Sequence, residues 1–110
     1  MSLSSHVLDG TRGRPAVGVS VRWDRLDDGA WRQVADAVTD EDGRVTDWGG
    51  ASPGEGTHRV VFGSGDYFSR QQVETFYPEV VVVFEVTDPD QHHHVPLLLS
   101  PFAYSTYRGS

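Results

Sequence analysis

A chain of 110 residues with a formal net charge of −7 has room for one hydrophobic core and none for a separate cofactor domain. The acidic balance argues against a nucleic-acid backbone or an anionic membrane as partner, since both reward a basic face. The lack of cysteine removes disulfides, thiolate nucleophiles and thiolate metal sites, so residues 1–110 are expected to form one domain held by packing alone.

The N-terminal stretch MSLSSHVLDG has no charged region followed by the apolar core of a secretory signal. No segment approaches the roughly 18 apolar residues of a membrane helix, which predicts a soluble, cytoplasmic protein. Asp-Gly pairs occur at Asp9-Gly10, Asp28-Gly29 and Asp42-Gly43, and the last two lie between segments of alternating polarity, the pattern of β-hairpins. In GVSVRWDRL, Val19, Val21 and Trp23 share one face and Ser20, Arg22 and Asp24 the other, as a half-buried strand requires. WRQVADAVT then pairs back across Asp28-Gly29. RVTDW follows Asp42-Gly43 as a further strand, the glycines and proline of GGASPGEG form a loop, and THRVVFGSG is the next strand.

A helix is predicted over GDYFSRQQVETFYP, with Ser64 or Asp66 as N-cap and Pro78 as the stop. EVVVVFEV is apolar nearly throughout, which predicts a central strand covered on both faces by the other sheet or by a partner subunit. The chain turns at Asp88-Pro89. Pro96 then cannot donate to a ladder, which predicts an edge strand or a bulge there. FAYSTYRGS alternates Phe102, Tyr104 and Thr106 with Ala103, Ser105 and Tyr107, a strand tied down by pairing almost to the chain end. Short strands with one brief helix predict an all-β, two-sheet sandwich.

Of the five histidines, His6 and the cluster of His92, His93 and His94 lie beside features that suggest a site. In an extended HHHV, His92 and His94 point to one face and His93 to the other, so two imidazoles can share a pocket. A solvated, idle histidine run is the plainer alternative. A zinc site needs three converging ligands, and His6, His92 and His94 supply them only if the fold brings them together. Arg44 is either a solvated strand-end charge or a planar fork of donors for an electron-rich ligand or a developing oxyanion.

SSHVLDGTRGRPAVGV at the start, TDEDGR in the middle, HRVVFGSGDYF before the helix and HHHVPLLLSPFAYSTYRGS at the end together resemble the 5-hydroxyisourate hydrolases, the transthyretin-related enzymes of urate breakdown in purine catabolism. The terminal Tyr-Arg-Gly-Ser is the specific part, since the hormone-carrying transthyretins share the fold but lack this ending and the paired site histidines. The chain departs from the usual pattern at His93, commonly tyrosine in these enzymes, and at Ala103, often glycine. The resemblance implies a transthyretin-like β-sandwich assembled as a homotetramer, with sites in clefts where two dimers meet. It implies that His6, Arg44 and His94 are catalytic, and that Tyr107, Arg108, Gly109 and Ser110 join His6 and Arg44 around the substrate, 5-hydroxyisourate. Hydrolysis of its cyclic amide to 2-oxo-4-hydroxy-4-carboxy-5-ureidoimidazoline needs a base near neutral pH, and histidine suits that task. His94 and His6 are both candidates. The chemistry requires no cofactor or metal, although the histidine cluster is open to adventitious zinc. A non-catalytic small-ligand carrier on the same scaffold is the alternative, and it predicts an apolar channel.

Overall fold

The computed structural model describes residues 2–110 and contains two antiparallel-rich sheets packed face to face. The first sheet has the order β2, β1, β8, β9, from Arg14–Pro15, Ser2–Asp9, His92–Ser100 and Ala103–Thr106, and the short β5 (Arg44–Val45) also pairs with β1. The second has the order β4, β3, β6, β7, from Ala30–Val38, Ser20–Asp27, Gly56–Phe62 and Val80–Val86. Alternation decides which side chains meet between the layers. Along β1, Leu3, Ser5, Val7 and Asp9 are buried while Ser4, His6 and Leu8 face outward. Val7, Val21, Trp23, Val60, Phe62, Leu97 and Leu99 close the interior, with Trp23 and Trp48 edge to face at 5.5 Å. No helix among the described residues is long and apolar enough to cross a membrane.

The β3–β4 hairpin turns at Asp28-Gly29, whose φ angles of 51° and 80° are those a two-residue Asp-Gly turn demands. Asp24 keeps to the face of Arg22 but is buried there, because Arg22 and Arg59 close over it with ion pairs of 3.0 and 2.7 Å.

Four expectations are corrected. The helix α1 spans only Ser64–Ser69, and its N-cap is Gly63, with no side-chain cap bond. Tyr67 and Phe68 anchor it in the core, whereas Val73 and Phe76 are exposed and offer no apolar stripe to hold further turns. The chain instead leaves through Gln72 at φ 59° and is tied to Pro101 by Phe76 N and the Thr75 hydroxyl. The strand after Asp42-Gly43 is only Arg44–Val45, and it pairs with β1 in the other sheet and not back on β4, so this Asp-Gly is no hairpin turn. Strand β7 is not central: it pairs only with β6, at the end of its sheet, and leaves Val81 and Val83 38% and 57% exposed. Strand β8 is not an edge. It lies between β1 and β9, and the proline is accommodated by a gap in the ladder. Leu97 pairs Thr106 and His94 pairs Gly109 in one continuous register, but the positions between them, where Pro96 would face Tyr107, are unpaired because proline has no N–H to give.

His58 is fully buried beside the tryptophans. The Trp23 indole N–H donates to His58 Nδ1 at 2.8 Å, so Nδ1 carries no proton and Nε2 donates to the Gly54 carbonyl at 2.9 Å. Burial holds its pKa below the ordinary 6.5. His58→Ala deletes one buried and one part-buried hydrogen bond and opens a cavity, at an expected cost of about 3 kcal/mol, read from the urea midpoint. As pH falls below 6.5 the unfolded chain protonates first, so the stability this residue contributes is complete above that pH and is lost toward the depressed value of the folded state.

Candidate active site

The parallel pairing of β1 with β8 sets Ser2 beside His92, Ser4 beside His94 and His6 beside Pro96, while the antiparallel pairing of β1 with β5 sets His6 beside Arg44. Register neighbours share a face. Strand β1 is therefore the spine that brings Arg44 and His6 on one side and His94 on the other to the outer face of the first sheet. All three predicted catalytic side chains converge there, although they are scattered over 88 positions of sequence, from His6 to His94.

The turn before β5 is built to hold this arrangement. The Asp40 carboxylate accepts the backbone N–H of Asp42 and of Arg44, both at 2.9 Å. These bonds, the Arg44 one foremost, hold its carboxyl below the usual range, with help from the Arg44 charge and the neighbouring His6. Gly43 sits at φ 73°, and a Cβ there would run into the Val7 carbonyl, so only glycine lets the turn close against β1. The closed turn presents the Asp42 carbonyl to His6 Nε2 at 2.9 Å. Since a carbonyl only accepts, Nε2 of His6 bears the proton and Nδ1 is left to act on a ligand.

His94 is half-buried and is held from the other ring nitrogen: Nδ1 meets the Ser4 hydroxyl at 2.7 Å. Burial lowers its pKa from 6.5, and the Arg44 charge and the neighbouring His92 and His6 add to the effect. Neutral imidazole, the form that can accept a proton, thus prevails near pH 7. The chain end packs against this ring. Gly109 N donates to the His94 carbonyl at 3.0 Å, and a Cβ at Gly109 would overlap the imidazole.

Gly109 lies on His94. Arg108 donates to Gln91 at 3.1 Å, and Arg108 and Tyr107 line, with Phe84, Glu85, His93 and His94, a cleft of about 270 Å³. His93 faces inward as alternation predicts, buried near Phe84. Among the described residues no group of three or more His, Asp or Glu side chains is arranged to hold a metal ion. His92 is joined to Ser2 and Ser4 by hydrogen bonds of 2.6 and 2.8 Å. Sequence reasoning missed these serines. Their outward alternation with His6 was legible, but their partner strand begins about 90 residues later and nothing local announces the pairing.

The pattern of the HIUase/Transthyretin family matches residues 3–109. The 5-hydroxyisourate hydrolase of Salmonella dublin is 44% identical over 109 residues, covering 98% of this chain and 80% of that protein. Among solved structures, the Klebsiella pneumoniae 5-hydroxyisourate hydrolase superposes with a TM-score of 0.88 at 34% identity and full coverage of both chains. Sea bream transthyretin in complex with thyroxine superposes with a TM-score of 0.92 at 32% identity, over 99% of this chain and 95% of that one. With its two-sheet architecture and a match that runs nearly end to end, the chain belongs to the HIUase/Transthyretin family.

Proposed function

We propose that this protein hydrolyses 5-hydroxyisourate to 2-oxo-4-hydroxy-4-carboxy-5-ureidoimidazoline. Backbone similarity does not separate a hydrolase from a hormone carrier, since both kinds of structure superpose well. The observation that carries the reading is the convergence of His6, Arg44 and His94 on one sheet face. An apolar ligand channel has no use for two imidazoles and a guanidinium, whereas a ring carbonyl under attack by water uses all three. Water adds to the carbonyl carbon, the C–N bond to the ring nitrogen breaks, that nitrogen takes one proton of the water, and the new carboxyl group, which stays on the opened product, gives the other to solvent.

In this reading His94 Nε2 accepts the proton of the attacking water, because its Nδ1 is engaged by Ser4 and its lowered pKa keeps it unprotonated. The planar donors of Arg44 stabilise the developing oxyanion. His6, fixed by the Asp42 carbonyl, offers Nδ1 to an N–H or O–H of the substrate. The terminal residues 107–110 complete the wall. The protein works as a homotetramer with its sites where two dimers meet. The exposed valines of β7 and the outer edge of β9 with Phe102 support association, as apolar strand edges favour further pairing.

The test is direct. 5-Hydroxyisourate generated in place by urate oxidase should lose its ultraviolet absorbance faster when the protein is added, and decay at the spontaneous rate would overturn the assignment. The acid limb of kcat/KM should fall below pH 6.5, the ordinary histidine value, because burial and Arg44 both disfavour the imidazolium of His94.

A further inference from the structure

The face that carries His94 holds a continuous hydrogen-bonded file of which the hydrolase reading uses only the first bond, from Ser4 to His94. From the site outward it runs from His94 Nδ1 to Ser4 Oγ at 2.7 Å, from Ser4 Oγ to His92 Nε2 at 2.8 Å, and from His92 Nδ1 to Ser2 Oγ at 2.6 Å. A hydroxyl owns one hydrogen. Ser4 can therefore donate to only one of the two imidazoles and must accept from the other, which locks their tautomers together. When His94 carries its proton on Nδ1, leaving Nε2 open to water, Ser4 accepts that proton's bond and donates to His92 Nε2. His92 then carries its own proton on Nδ1.

We propose that Ser4 and His92 form a proton relay for His94, with the Ser4 hydroxyl passing the proton taken from water to the exposed His92 and returning it when the leaving nitrogen is protonated. The proposal rests on His94 being the base. The balance is complete without another reactant. Water gives a proton to His94 Nε2; the Nδ1 proton moves to Ser4 Oγ as the Ser4 hydrogen moves to His92 Nε2, leaving an imidazolium at His92. As the C–N bond breaks, His94 Nε2 donates to the ring nitrogen while the shift along the file reverses. His92 is exposed and His94 half-buried, so water solvates the positive charge better at the far end of the file. Arg44 of β5 and His6 of β1 act on His94 and disfavour a positive charge there, whereas Arg108 of the tail acts on the buried His93, whose ring is not part of the file.

Ser4→Ala and His92→Ala each remove one link from an outward-facing position that the core does not use. Each should lower kcat about tenfold with little change in KM, less than the loss of the base itself. The double variant should be no slower than either single one. Imidazole added to the buffer should restore both, and Ser4→Thr, which keeps the hydroxyl, should need no rescue. Losses that multiply in the double variant, or that ignore imidazole, would mean that Ser4 merely holds the ring, and the relay would be overturned. So would unchanged kcat in both single variants. His94→Ala, assayed beside them, separates the two readings: normal turnover there removes the base and the relay together, whereas an inactive His94→Ala beside fully active Ser4→Ala and His92→Ala removes the relay alone.

Discussion

Deleting Tyr107, Arg108, Gly109 and Ser110 is expected to abolish hydrolysis, a loss of at least about 100-fold, while the sandwich stays folded. These residues contribute nothing to the buried hydrophobic core. What they donate is one backbone bond from Gly109 to His94 and one side-chain bond from Arg108 to Gln91. At about 1 kcal/mol for each, the truncation draws modestly on the roughly 5–15 kcal/mol that holds a domain. The site loses more. Gly109 lies against the His94 ring, so its removal frees the imidazole and admits water to a face whose electrostatic effect depends on being held and partly dry. A subtler variant tests the same contact. Gly109→Ala places a methyl group inside the space of the His94 ring and should also cost most of the activity. Circular dichroism and the ultraviolet decay assay on both proteins decide the matter. A folded truncation with near-normal turnover would detach the chain end from the site.

His94→Ala, Arg44→Ala and His6→Ala are each expected to reduce kcat/KM at least about 100-fold, the usual contribution of an acid–base or oxyanion group. All three side chains sit on the outer face of the first sheet, none in the core cluster, so the melting temperature should move little. Arg44→Lys is the informative companion. It keeps the charge but not the planar fork of donors, and activity should remain low if Arg44 holds a flat, polar ring as well as the oxyanion. Recovery in Arg44→Lys would reduce its role to a point charge. Normal turnover in any one alanine variant would remove that residue from the mechanism.

Much of this protein was legible in its sequence, because the relevant physics is local. A strand's period of two separated His93 from His92 and His94 before any partner was known. It likewise set Val19, Val21 and Trp23 apart from Ser20 and Arg22. Asp28-Gly29 announced its own hairpin because few residue pairs tolerate two positive φ angles. The motifs at the start, middle and end carried the family resemblance, and with that resemblance came the assignment of His6, Arg44 and His94.

Other features were decided only by the tertiary structure, each because it depends on what lies across space. An apolar run looks the same in a central strand and in an edge strand, so β7 was misplaced. A proline reports a missing donor but not where its strand lies; β8 is interior, between β1 and β9, and its ladder with the tail leaves Val95 and Pro96 unpaired. The helix ended early because packing holds only Tyr67 and Phe68, and propensity cannot count core contacts. Above all, the parallel register of β1 and β8 joins residues about 90 positions apart. Period two told which face Ser4 and His94 occupy on their own strands, but only the pairing of those strands put one hydroxyl between two imidazoles.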